Sequence, residues 1–201
     1  MVCQNMTFVV QRHSVGLTVH ETGGMQRAMH ALRDGERTWL IDPFHAAEFR
    51  DALGELPPLA GVIQLLDRHN RDCAEIAGSL GLSLHRVPAR VPDSGLEVVR
   101  VISQRFWSEI ALWAPDTRTL VIAEAVGTAP LFALGRPAGV HPMLRLLPPR
   151  GALSGYAPEQ LLVGHGPALA SGGAQALAGA LSAARADMPK LLVKLPSALR
   201  G

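Results

Sequence analysis

Apolar and polar residues alternate along the first part of the chain, from Thr7 to Asp42. "VGLTVH" has a period of two, and "LRDGERTWLID" sets Asp34-Gly35 between two strand-like runs, the local signal for a tight hairpin. A β-meander is the expectation. The period then changes. In "HAAEFRDALG", Ala46, Phe49, Ala52 and Leu53 recur at helical spacing, with Gly54 available as a left-handed stop. "AGVIQLL" is a short continuous apolar run, as in a strand buried on both faces, and "CAEIAGSLG" returns to helical spacing and ends at Gly81.

The second part repeats this order. "LEVVRVIS", "EIALWAP" and "RTLVIAEA" read as strands, the last two joined by the turn residues Pro115-Asp116. A Gly/Pro-rich segment from Gly127 to Gly155 follows, its "LGRPAGVHP" expected to overhang a cleft. Then come a short strand, "QLLVG", and "GGAQALAGALSAARADM", with Ala174, Leu177, Ala178, Leu181 and Ala184 on one helical face and Pro189 as its stop. Strands followed by helices, twice over, predict an α/β (α+β) architecture of two sheets packed face to face with helices outside, in one domain spanning residues 1–201.

Composition narrows the function classes. At 201 residues with 48% apolar content the chain is long enough for a well-buried domain. A formal charge of +2, with 18% charged residues of mixed sign, leaves no basic stripe for a phosphate backbone, so no nucleic-acid partner is expected. Cys3 and Cys73 are the only thiols, and "MVCQNMTFVVQRH" has no basic segment followed by an apolar core; both point to a cytoplasmic protein without a disulfide framework. No run approaches the roughly 18 apolar residues of a membrane span, so no membrane partner is expected either. Phosphate-loop, dinucleotide-binding, nucleophile-elbow and C-x-x-C motifs are missing from the sequence.

Chemistry concentrates in "QLLDRHNRDCAEIAG", where a strand-like run enters a knot of two carboxylates, a histidine, a thiol and two arginines ahead of a helix. Asp72 followed by Glu75 is the pattern of an N-cap and capping box, which needs no metal. Cys73 reads either as a thiolate favoured by the helix start or as a small buried hydrophobe. Asp67 and His69, two apart, would share one side of a strand and form a different ligand pair. His13, His20, His30, His45, His85 and His141 have no ligand spacing between them and read as solvated surface histidines.

Three fragments, in order, resemble the metallo-β-lactamase superfamily: "RTWLIDP", "TLVIAEAVG" and "EQLLVGHGPAL". In that family an apolar strand ends in Gly-His-Gly with a metal-ligating histidine, where this chain has His165. Glu124 falls where the family delivers a bridging aspartate, and "LIDP" falls on the early strand before the first helix. The resemblance covers nearly the whole chain and implies a four-layer αββα sandwich with hydrolase-like chemistry. Members also carry H-x-H-x-D-H after a buried strand. Aligned on Asp72, that motif puts Arg68, Asn70 and Cys73 at its histidines, and "SQRFWSE" offers only Arg105 or Phe106 where a further histidine belongs.

The resemblance with these departures implies a reduced site of at most one ion, zinc or another divalent transition metal, held by Asp72, Cys73, Glu124 and His165. Asp72 and Arg68 would be the catalytic residues. A permanently charged Arg68 cannot ligate, and would instead point into the cleft and pair with Asp72 or Glu124. The ligand or substrate is then a small anionic molecule. A metal-free binding or scaffold protein on the same fold stands as the alternative, holding an anion or metabolite through Arg68, Arg71 and Arg105, with His165 and Glu124 paired to neighbouring charges.

Overall fold

The computed structural model describes residues 7–54, 56–69 and 71–191. Cys3 and Asn70 lie outside the described residues. The meander forms as the alternation predicts: β1 (Phe8–His13), β2 (Gly16–Glu21), β3 (Ala28–Asp34) and β4 (Arg37–Ile41) pair antiparallel in order, with Asp34 and Arg37 closing the β3–β4 hairpin. After helix α1 (Ala47–Leu53), strand β5 (Leu59–Gln64) joins parallel to β4. After helix α2 (Cys73–Ser79), strand β6 (Leu84–Arg86) joins parallel to β5 and completes the first sheet.

The pleat sorts the side chains of this sheet into two cores. Leu32, Trp39, Ile41 and Ile63 face the second sheet, while Ala31, Leu40 and Val62 pack with Phe49, Ala52 and Ile76 of α1 and α2. The second sheet runs in the order β12-β9-β8-β7, from β7 (Glu97–Gln104), β8 (Trp107–Ala114), β9 (Thr119–Ile122) and β12 (Gln160–Val163), with β12 parallel to β9. The Gly/Pro-rich segment contains a two-stranded ribbon of β10 (Val126–Gly127) and β11 (Gly139–Val140) and two short helices, α3 (Pro130–Ala133) and α4 (Arg150–Leu153). Helix α5 (Gly173–Ala183) covers the outside of the second sheet, which makes the four layers.

Several local expectations are corrected. Gly54 caps α1 in the right-handed region at φ −61, whereas Gly81 after α2 is left-handed at φ +65. The buried face of α5 is Ala176, Leu177, Ala180, Leu181 and Ala184; Ala178 is exposed and Ala174 half-buried. That helix ends at Ala183, ahead of Pro189. No helix among the described residues is long and apolar enough to cross a membrane.

His30 is buried rather than solvated, because β3 is an interior strand. Its Nδ1 lies 2.8 Å from the Thr18 hydroxyl, which His13 Nε2 meets at 3.1 Å from the other side. Burial, helped by the charge of His13, pulls the His30 pKa from 6.5 down to about 3. The unfolded chain therefore binds a proton between these values that the folded chain does not, and stability falls as pH drops through 6.5. Urea unfolding should find the protein less stable at pH 5 than at pH 7, by about 2 kcal/mol from this residue. His30→Gln should shrink the difference by about that amount, with the remainder coming from His13 and His165, whose pKa values burial also brings down to about 4; an unchanged slope in that variant would contradict the assignment.

Candidate metal centre

Strand ends from both sheets meet at one edge of the sandwich. Beyond β5 the chain does not turn away: Ile110 N donates to Leu65 O at 2.9 Å and Asp67 N to Ser108 O at 3.1 Å, so the extension of a first-sheet strand pairs with β8 of the second sheet. This crossing delivers His69. The loop after β9 delivers Glu124, and the turn after β12 delivers His165. One ligand-capable atom from each of these three residues lies within 4.8 Å of the others.

Each of the three is held from behind. Asp42, at the end of β4 with φ +47, accepts Leu65 N at 3.0 Å through one carboxylate oxygen and faces His69 Nδ1 at 3.2 Å with the other. A carboxylate only accepts, so His69 Nδ1 carries the proton and its Nε2 points into the cluster. There Nε2 is buried without a hydrogen-bond partner, 3.4 Å from Glu124 Oε2. His165 Nδ1 donates to the Met25 carbonyl at 2.9 Å, which leaves its Nε2 lone pair facing Glu124 Oε1 at 3.6 Å. Glu124 is set by its own backbone: the Glu109 carboxylate accepts Glu124 N at 2.8 Å and Ala125 N at 2.9 Å, and also takes the Trp107 indole N–H at 2.9 Å.

The glycines around His165 are required by close approach. A Cβ on Gly164 would lie 2.1 Å from Ala123 O, and Gly166 has φ +99 with Ala129 N only 2.4 Å from where a Cβ would stand. Phe132, fully buried, stacks on the His165 ring at 5.1 Å.

Charge in the cluster is nearly self-balancing. Burial would lower the His69 pKa, but the charge and hydrogen bond of Asp42, with Glu124 on the other side, push it up to about 9. Burial would raise Glu124, yet contact with His69 and the nearby histidines bring it down to about 2. His165 is pulled down to about 4, chiefly by burial. Burial likewise lowers Arg71, whose guanidinium donates to Gly164 O at 3.1 Å, sits 5.3 Å over the Phe44 ring and leaves Nη1 without a partner.

The structure brings together Glu124, His165 and His69 and places the other sequence candidates elsewhere. Asp72 accepts His45 N at 2.8 Å and makes no side-chain cap to α2, while Glu75 pairs with His45 at 3.1 Å, so the capping box does not form. Cys73 packs among Phe44, Phe49 and Ile76 in the core between sheet and helices. Its thiol faces Pro43 O at 3.8 Å, and burial raises its pKa. Cys73 is held in the core on the helix side of the first sheet, Asp72 is tied to the segment that follows β4, and neither belongs to the three residues whose ligand atoms converge. Arg68 does not reach Asp72 or Glu124: its guanidinium lies 5.0 Å over the Trp107 ring, half-exposed, with Asp67 at 3.8 Å. Asp67 thus faces Arg68, while His69 of the same candidate pair enters the cluster.

Two contributors carry no signal in the sequence: Asp42 stands in "LIDP" with no assigned role, and the expectation of a solvated surface histidine at position 141 is corrected. The His141 ring is mostly buried, and Nε2 is 3.7 Å from Glu124 Oε1. Its pKa is lowered, first by burial and then by the charges of Arg145 and Arg68, against Glu124.

The chain has the metallo-β-lactamase fold. Solved structures superpose on almost its whole length: DIM-1 metallo-beta-lactamase at a TM-score of 0.68 and 13% identity, covering 91% of this chain and 99% of that one. A metallo-beta-lactamase from Pontibacter korlensis gives 0.62 and 14%, covering 89% and 99%, and one from Erythrobacter litoralis gives 0.59 and 11%, covering 92% and 95%. No family model and no curated relative matches the chain. At these identities the likeness is one of fold.

Two substitutions test the local assignments. Glu109→Leu orphans two backbone N–H groups and an indole N–H, each at about 1–3 kcal/mol, so denaturant unfolding should show a loss of at least about 3 kcal/mol. Arg68→Ala should cost no more than about 1 kcal/mol, as befits a half-exposed cation on an aromatic face. A loss several times larger would return Arg68 to the buried pair expected from sequence.

Proposed function

We propose that the chain is a metal-dependent, hydrolase-like protein that acts on a small anionic molecule, with one divalent transition metal ion held by His69, Glu124 and His165. The observation that carries this reading is the donor chemistry. Two imidazoles, each with its far nitrogen engaged, present Nε2 to a carboxylate, and one of those Nε2 atoms is buried without a hydrogen-bond partner. Two histidines and one carboxylate form a ligand set that zinc accepts with a fourth position left for water or substrate. When bound, such an ion supplies a Lewis acid that polarises a carbonyl or phosphoryl oxygen.

The chain's own residues do the rest. Asp42 and the Met25 carbonyl orient the two rings. Glu109 fixes the backbone that carries Glu124, and Phe132 and Trp107 exclude water on one side. The positive charge of Arg68, felt at His141, and of Arg71, felt at His165 and His69, favours an anionic ligand. Asp72 and Cys73 are given no part.

One observation favours a metal-free binding protein as the second reading: with His69 held charged between Asp42 and Glu124, the site neutralises itself without an ion. Elemental analysis of protein purified without chelator separates the two. One equivalent of zinc, manganese or iron is expected, lost in His69→Ala and His165→Ala and kept in Cys73→Ser and Asp72→Asn. Two equivalents, or loss on Cys73→Ser, would reject this ligand set. No metal together with no thermal shift on adding zinc would establish the metal-free reading.

A further inference from the structure

The three histidines around Glu124 are not equivalent, and the difference lies in what each Nδ1 touches. For His69 and His165 the partner of Nδ1 is an acceptor, a carboxylate and a carbonyl. For His141 it is a donor: the backbone N–H of Met143 gives its hydrogen to Nδ1 at 3.2 Å, the cap of the short 3-10 turn Pro142–Leu144. A nitrogen that accepts an N–H bond carries no proton of its own, so the His141 proton sits on Nε2.

That N–H is aimed inward by packing. Trp107 meets the His141 ring edge-on at 5.1 Å and Phe132 at 5.4 Å, and between them they point Nε2 at Glu124 Oε1, 3.7 Å away. The distance is too long for a hydrogen bond. Among the described residues none accepts a hydrogen bond from Nε2, which leaves a free donor beside the cluster.

We propose that His141 is the hydrogen-bond donor of this site: its Nε2–H meets an oxygen of a bound anion, or the oxyanion that develops on a substrate carbonyl, and its ring does not ligate metal. The assignment rests on the proposed metal centre for its chemical use, but the tautomer behind it does not. A neutral imidazole used this way needs no change of protonation, because it stabilises negative charge by an N–H already in place. The arrangement ties capping to chemistry, since the turn that begins at Pro142 is what keeps Nδ1 occupied.

The experiment is nitrogen-15 NMR of histidine-labelled protein, without metal and loaded with cadmium-113, joined to calorimetric titration with inorganic phosphate. His141 should show protonated Nε2 and bare Nδ1 in both states, with cadmium coupling at His69 and His165 and none at His141. Phosphate should bind His141→Ala about 10-fold or more weakly than the parent, the worth of a hydrogen bond to a charged group, with part of the loss recovered in His141→Gln. Cadmium coupling at His141, protonated Nδ1, or equal phosphate affinity in the parent and His141→Ala would each overturn the proposal. Absence of coupling at all three histidines would instead reject the metal centre; the tautomer and the phosphate titration of the metal-free protein would still decide the role of His141.

Discussion

One buried carboxylate links the fold to the site. Asp42 ends β4 in a left-handed conformation, and its two oxygens bind the backbone of the residue just beyond β5 and the ring of His69. Through the first contact it binds the backbone at the point where the chain leaves its own sheet to pair with β8. Through the second it sets which nitrogen of His69 faces the cluster. A chain that lost this carboxylate would leave Leu65 N without its partner at the start of the crossing and His69 without the contact that orients its ring.

The charges around that carboxylate explain why such a polar group is tolerated in the interior. Asp42 and Glu124 are matched by His69 and by Arg71, whose guanidinium, like that of Arg27, lies against the Phe44 ring. Buried ions are costly singly and bearable as a network in which the partners are fixed. Arg71 is the permanent member. His69 is the exchangeable member: its Nδ1 proton faces Asp42, and its second proton, on Nε2 toward Glu124, is the one that comes and goes.

Much of this was legible in the sequence, for identifiable reasons. The hairpin at Asp34-Gly35, the two helical faces on the first sheet and the strand before Gly-His-Gly are local patterns, and each formed where expected. Glu124 and His165 were legible only through the resemblance of "TLVIAEAVG" and "EQLLVGHGPAL" to the family, not through any periodicity of their own. Asp72 and Cys73 misled because they stand at a helix start, where an aspartate fits capping as well as ligation; the structure uses it for neither and binds it to His45 N. What selects His69 instead is the pairing of Leu66 with Glu109, a contact between distant segments that no periodicity announces. His141 lay in a Gly/Pro-rich stretch without period, and its role depends on Trp107 and Phe132 closing around it.

The close crossing at Gly164 and Gly166 has a consequence for how such chains diverge. Side chains at these positions would collide with the backbone of the neighbouring loop whether or not the centre is ever used. The two glycines are therefore required by packing, independently of what His165 binds. Substitution would become tolerable first at the histidine between them. In a survey of related sequences, variation at position 165 against constant flanking glycines would mark the branches that keep the scaffold without that imidazole.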